Sequence, residues 1–123
     1  MISVPGYKQL QPVHQGLHNL VYSGTRIKDG KKVILRQLRP EISTPELISR
    51  HLREFELLAQ IQSDHVIKPI ELIDRDDSPI LVTEEAPGKP LISFIQHDEL
   101  NIVESARIAC LMAMAVDDIH RAN

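Results

Sequence analysis

The chain contains no tryptophan, two phenylalanines, two tyrosines and one cysteine among 123 residues. So few aromatic rings leave the core to aliphatic side chains and give single-stranded nucleic acid little to stack on. The lone Cys110 excludes a disulfide framework or a thiolate zinc site within one chain. Positive charge is not in excess, the net being -3, so charge does not mark nucleic acid or an anionic membrane as the main partner. Long hydrophobic runs are missing as well. No apolar stretch reaches the roughly 18 residues of a membrane span, and MISVPGYKQLQ lacks the basic start and apolar run of a signal peptide. A reducing, cytoplasmic setting is the expectation. No internal repeat or low-complexity tract is present.

What is there is ordinary for one soluble domain: 42% apolar and 25% charged residues. YKQLQPVH (7–14) and LVYSGTRI (20–27) read as strands around a turn, HQGLHN. KDGK (28–31) signals a hairpin, because Asp-Gly tolerates the positive φ of tight turns. KVILRQL (32–38) is a third strand, so 7–38 forms an antiparallel meander. Ser43 and Glu46 have capping-box spacing and Pro45 suits a first helical turn. A helix over about 44–62 follows, burying Ile48, Leu52, Phe55, Leu58 and Ile61. Two further strands, about 66–74 and 79–85, flank a turn at RDDSP. PGKP (87–90) punctuates, LISFIQHDE predicts a short helix, and Asn101 with Glu104 opens a helix running toward Arg121.

The order β-β-β-α-β-β then helix implies an α+β fold, one five-stranded antiparallel sheet with a crossing helix. The last helix is apolar on every side between 102 and 116, which calls for burial by several neighbours. The preceding elements cover one side at most, so exposed apolar surface is expected there. Cys110, inside that helix, is expected to be a buried, inert thiol. Asp117, Asp118 and His120 read as a solvated helix end. His14 and His18 are four apart, but in a strand and turn with no third ligand, so no metal site is expected.

The third strand holds the most informative residue. Period-two alternation puts Ile34, Arg36 and Leu38 on one face and Val33, Leu35 and Gln37 on the other. A charge between two apolar neighbours is costly unless paired. Its stem either covers apolar surface while the head reaches water, or a distant acid meets it. Glu54 is such an acid, although it also lies four residues from Arg50, the spacing of a helix surface pair.

This order and these residues resemble the amino-terminal lobe of a eukaryotic-type serine/threonine protein kinase domain over residues 7–123. Val33-Ile34-Leu35-Arg36 resembles the V-A-I-K segment, and LREFELLAQIQSDHVIKPIELI resembles the αC helix with Glu54 at its glutamate. ILVTEEAPGKPLISFI is similar to the fifth strand and hinge, with Thr83 at the gatekeeper place. ARIACLMAMAVDDIHRAN is similar to the long helix that leads toward the catalytic loop. PGYKQLQ, LVYSGTR and REFELLAQI resemble the kinase domain that opens large bacterial, notably cyanobacterial, proteins carrying also an ATPase region, a GAF domain and a sensor histidine kinase.

The resemblance implies a nucleotide-binding lobe at 7–86 and, at 87–123, the hinge and first helices of an incomplete second lobe. It implies ATP as ligand, with Arg36 on the phosphates and paired to Glu54. Val13, Val21 and Ile34 would wall the adenine, and backbone groups of Glu84 and Ala86 would bind its edge. The three glycine places of the phosphate loop hold His14, Gly16 and Asn19, so only the middle one is kept. Arg36 stands where the family has lysine, and the two are not interchangeable at a tuned site. The IHR at 119–121 only looks like the start of a catalytic loop: Ala122 and Asn123 follow it, without aspartate. Neither a catalytic base nor a magnesium ligand is expected in this stretch, so the chain alone should be inactive. The alternative is a pseudokinase-type module that binds a protein and no nucleotide. Either a protein partner or the remainder of a kinase's second lobe is expected on the apolar helix 102–116.

Overall fold

A computed structural model describes residues 3–75, 78–86 and 91–122. Five strands, β1 (Tyr7–Gln15), β2 (Asn19–Arg26), β3 (Lys32–Leu38), β4 (Pro69–Ile73) and β5 (Ile80–Glu84), form one antiparallel sheet in the order β1-β2-β3-β5-β4. Helix α1 (Pro45–Gln60) lies between β3 and β4 in the chain, and α2 (Leu91–Gln96) and α3 (Ile102–Ala122) follow the sheet. The chain is thus α+β with the expected meander and crossing helix. It divides into two compact units, Met1–Ala59 with Ile67–Glu85, and Gln60–Val66 with Ala86–Asn123.

In the first unit the core lies on one face of the sheet. Val33 and Leu35 of β3 and Ile80 and Val82 of β5 are fully buried there, joined by Val4 and Tyr7 of the amino-terminal segment. Register explains the choice: Leu35 pairs with Val82 and Gln37 with Ile80, so the alternate residues of both strands stack on that side. Tyr7 is the one aromatic among the buried residues of this core. Its hydroxyl donates to Glu71 Oε1 at 2.5 Å, and burial, reinforced by that carboxylate, pushes the phenol's pKa up. A Cβ at Gly24 would press on Leu10 Cδ2, the end of a flexible side chain, and come within 3.5 Å of Leu35 Cδ1, so a side chain there needs Leu10 to move.

The β2–β3 hairpin closes as its sequence implies. Gly30 takes φ +72, and Asp29 accepts from Arg26 Nε and Nη2 and from the Lys31 backbone N–H. β1 is less regular than its alternation suggests. Its register against β2 slips between Lys8 and Gln11 and again between Pro12 and His14, and Gln9 adopts φ 56. Extra residues on one strand of a pair bend it and re-aim its side chains.

Helix α1 starts one residue later than a Ser43 capping box requires. Thr44 Oγ1 accepts from the Leu47 N–H at 3.2 Å, with Pro45 as the first helical residue, so Thr44 is the cap. Ser43 Oγ is buried without a partner among the described residues. The buried side chain of α1 is His51, not the apolar set expected, and Leu52 is 36% exposed. The other expected residues, Ile48, Phe55 and Leu58, are half-buried and Ile61 is buried. Within RDDSP, Asp76 and Asp77 lie outside the described residues. The turn's ends are visible, Ser78 N–H donating to Arg75 O at 2.6 Å. PGKP also lies outside the described residues.

In the second unit, Asn101 Oδ1 accepts from Glu104 N–H at 2.8 Å and caps α3 as expected. Ser63 donates to Asp118 and accepts from His65 N–H, tying the 60–66 segment to the end of α3. No described residue of α3 is buried. Ile102 is 88% and Val103 66% exposed, with Leu111, Met112, Met114 and Val116 also open. Cys110 is exposed, contrary to the expected buried thiol. Position on an apolar helix buries a thiol only where a neighbour covers that side.

The cap assignment is testable by urea unfolding. Thr44→Ala should cost about 1 kcal/mol, whereas Ser43→Ala should be neutral or slightly stabilising, because it removes a buried hydroxyl that has no partner. Equal losses from both would return the cap to Ser43.

Candidate functional site

β3 sits between β2 and β5, so the side chains of Ile34 and Arg36 emerge from the middle of the sheet. The ladder places Val21 opposite Arg36 on β2, and Leu81 and Thr83 opposite Arg36 and Ile34 on β5. His14 pairs with Val21 on β1. Val21, Ile34, Arg36 and Thr83 therefore share the face opposite the Val33–Leu35 core. Arg36 Nη2 donates to Glu54 Oε1 of α1, forming an ion pair between strand and helix. With 33% and 41% of the two side chains exposed, the pair is worth roughly 1 kcal/mol or less. Its consequence is positional, since it fixes which side of α1 faces the sheet. Glu54 makes this contact and no ion pair with Arg50 among the described residues.

His51, one helical turn before Glu54, completes the junction. It is 5% exposed, and its Nε2 lies 3.2 Å from the Arg36 carbonyl oxygen, a geometry in which Nε2–H donates. Burial, and then the charge of Arg36, push the imidazole's pKa down. Arg36 is thus held at both ends, by a carboxylate on its guanidinium and by an imidazole on its carbonyl. No reading of the sequence singled out His51. The signal available was its place three residues before Glu54, on the same side of a helix.

The β1–β2 turn closes the end of this face. Gly16 N–H donates to Asn19 O at 2.8 Å, and Arg39 holds the turn from outside, its N–H donating to His18 O at 2.9 Å and its Nη1 to Gly16 O at 3.3 Å. Gly16 does not use a left-handed conformation, and a Cβ there would meet only ordinary contacts at 3.5 Å. Val13 is the extra residue in the second β1 irregularity and is 56% exposed. It does not share a ladder position with Val21. Glu84 pairs with Val33 on the other face, and its N–H donates to Lys68 O at 3.2 Å. Ala86 is exposed and falls in the second unit.

Beyond Ile34 on the same face, Ser23, Thr25 and Lys32 line an open polar hollow of about 390 Å³ with Gln9, Gln11 and Glu85. Thr25 is buried and receives Lys32 Nζ at 3.4 Å. The sequence reading did not single out this hollow; the signal available was that Ser23 and Thr25 follow Val21 at period two and Lys32 precedes Ile34 by two. Among the described residues no group of three histidine, cysteine or acidic side chains is placed to hold a metal ion. None of the described helices is long and apolar enough to cross a membrane.

No protein-family model matches the chain. It is 27% identical over 119 residues to "Sucrose non-fermenting protein kinase 1" of Fusarium virguliforme, covering 96% of this chain and 17% of that protein. It is 29% identical over 85 residues to "Mitogen-activated protein kinase HOG1A" of Wallemia ichthyophaga, covering 69% of this chain and 23% of that protein. The chain therefore spans less than a quarter of the length of these relatives. Distant similarity to protein kinases and a five-stranded antiparallel sheet with its helix fit a kinase amino-terminal lobe.

His51 gives this junction a pH dependence. Its pKa is lower folded than the 6.5 it starts from, so the unfolded chain binds the proton more readily. The contribution to stability is complete above about pH 6.5 and is lost as pH falls toward the folded value. Denaturation midpoints measured between pH 8 and pH 5 should therefore fall more steeply for the parent chain than for His51→Gln. Parallel curves would remove His51 from the acid sensitivity.

Proposed function

We propose that residues 7–86 are the nucleotide-holding lobe of a serine/threonine-type protein kinase, acting in phosphoryl transfer from ATP to protein hydroxyls in the parent protein. The observation that carries this reading is the Arg36–Glu54 ion pair between β3 and α1, made on the face shared by Val21, Ile34 and Thr83. The two kinase relatives point the same way.

In this reading Arg36 meets the phosphates while Glu54 holds its guanidinium in place. A forked guanidinium binds phosphate oxygens through two donors, and Arg36 Nε is a buried donor without a partner among the described residues. Val21 and Ile34 supply the apolar surface for the base, with Val13 at the margin and Gly16 in the loop above the phosphates. Thr83 lies on the same face beside Ile34, and the backbone of Glu84 would contact the base edge. The role of these residues is to bind and orient. Glu54, the carboxylate paired with Arg36, is engaged by it. No proton-transfer or metal-assisted step is assigned to this stretch, and the isolated chain should not phosphorylate protein.

Calorimetric titration with Mg-ATP tests the reading. Weak, saturable binding is expected, reduced about tenfold or more by Arg36→Ala. A folded chain that stays silent at millimolar ATP would refute it. That result would favour a pseudokinase-type interaction module, a reading supported by arginine in the lysine place and by His14 and Asn19 in two of the three glycine places.

We also propose that α3 is covered by protein in the functional state, either a partner or the remainder of a kinase's second lobe. Its exposed Ile102, Val103, Met112 and Met114 form more apolar surface than an isolated helix keeps in water. Light scattering should show self-association of the purified chain, relieved by Met112→Glu with Val103→Glu. A clean monomer at high concentration would count against a covered α3.

A further inference from the structure

We propose that the polar hollow at the Lys32 end of the sheet binds a small zwitterion, a free α-amino acid with a polar side chain. Gln9 and Gln11 of β1, Ser23 and Thr25 of β2, Lys32 of β3 and Glu85 line it. None of these is among the residues assigned to the nucleotide, and along β3 Ile34 separates Lys32 from Arg36. The site stands whether or not the chain binds nucleotide.

The backbone is distorted to build this hollow. Between Lys8 and Gln11, β1 carries two residues, while their partners Thr25 and Ser23 on β2 have only Gly24 between them. Leu10 packs with the core, its Cδ2 against Gly24. Gln9 is the added residue, and it joins the hollow on the other face with φ 56. That conformation suits glycine and is uncommon for a residue with a side chain. Bulges that re-aim a side chain, and backbone strain of this kind, concentrate at binding sites. Here the bulge sets a second amide beside that of Gln11.

Charge selects the occupant. Glu85 N–H donates to Lys32 O at 3.2 Å, one step past the Val33–Glu84 pair, so Lys32 and Glu85 are cross-strand neighbours. Opposite charges so placed attract one another. Lys31 does meet Glu84 at 3.6 Å, whereas Lys32 and Glu85 form no ion pair among the described residues. Lys32 Nζ turns instead to the hydroxyl of buried Thr25 at 3.4 Å, and that hydroxyl donates to Gln9 Oε1 at 3.4 Å. Both bonds are long. The ammonium keeps donors to spare, and so does the Gln9 amide. A cation and an anion open to the same hollow match a molecule that carries one of each a few bonds apart. In an α-amino acid, the carboxylate accepts from Lys32 and Ser23 while the ammonium donates to Glu85. The rest of the lining is amide and hydroxyl, without an apolar side chain, which favours a polar side chain on the ligand. The hollow encloses about 390 Å³, above the roughly 300 Å³ at which small-molecule sites begin.

Equilibrium dialysis of the folded 123-residue chain against radiolabelled glutamine tests the site. Glutamine is the probe because its carboxamide pairs with those of Gln9 and Gln11. Saturable, roughly millimolar binding is expected. N-acetylglutamine lacks the ammonium and glutaminamide lacks the carboxylate, and each should compete about tenfold less well or worse. Lys32→Gln and Glu85→Gln should weaken binding by a similar factor. Lys28→Gln removes an exposed charge outside the hollow and should leave binding unchanged. Gln9→Gly separates binding from folding. Glycine accepts the φ of that position, so the urea midpoint should hold or rise while affinity falls. Circular dichroism confirms that each variant is folded. Absence of saturable binding, competition by the capped forms as strong as that by glutamine, or equal losses from Lys32→Gln and Lys28→Gln would overturn the site. Competition by glucose as strong as that by glutamine would overturn the zwitterion in favour of a neutral polyol.

Discussion

The fold around the site depends on how one cation is accommodated. Arg36 projects from the central strand of the sheet, where no edge is within easy reach of its stem. Glu54 resolves this by coming to it. Once Glu54 faces β3, helical geometry brings residues 47, 51 and 58 to the same side, and His51 becomes the buried side chain of α1. The apolar residues one position further along turn away, which is why Leu52 is exposed. The ion pair contributes little to stability at this exposure. Its effect is to select one rotation of a helix whose apolar residues alone allow more than one.

That last point separates what was legible in the sequence from what was not. Strand alternation and the Asp-Gly turn were enough for the meander, and they placed Ile34 and Arg36 on a common face. The Asn101 cap was equally plain. For α1, apolar residues at 47, 48, 52, 55, 57 and 58 spread over too wide an arc for periodicity to pick the buried stripe. The decision came from a polar contact 18 residues away in sequence, which no local pattern contains. The cap error has a narrower cause. Ser43 and Thr44 are both competent caps, and the choice follows from Pro45: a proline in the first helical position makes its immediate predecessor the cap. The slips in β1 were hidden because Gln9 carries no intrinsic preference for positive φ.

Cys110 and α3 show a different limit. A run of apolar residues says that a helix can be buried, not that anything in the same chain buries it. In the first unit the amino-terminal Val4 and Tyr7 arrive to cover the sheet. In the second unit, the 60–66 segment touches α3 through Ser63 and Asp118, a polar contact that leaves the apolar surface open.

The β1–β2 turn bears on how any phosphate would be held on this face. In a flexible glycine loop, backbone N–H groups are free to converge on an anion. Here the Gly16 N–H is already committed to Asn19 O, the glycine does not exploit its conformational freedom, and Arg39 anchors the turn at two carbonyls. The turn is therefore closed in advance by its own hydrogen bonds. In the proposed reading, donors for a phosphate would then have to come from side chains, Arg36 on the sheet first among them. Of the two residues that interrupt the glycine pattern, His14 sits opposite Val21 on β1, and Asn19 opens β2 two residues before Val21, the partner of Arg36. Under the proposed reading, their presence would exchange backbone recognition for side-chain recognition. Side-chain recognition is set by charge and by rotamer, so under the proposed reading it would tolerate the loss of glycine while placing the burden of phosphate affinity on Arg36, whose guanidinium Glu54 holds in place.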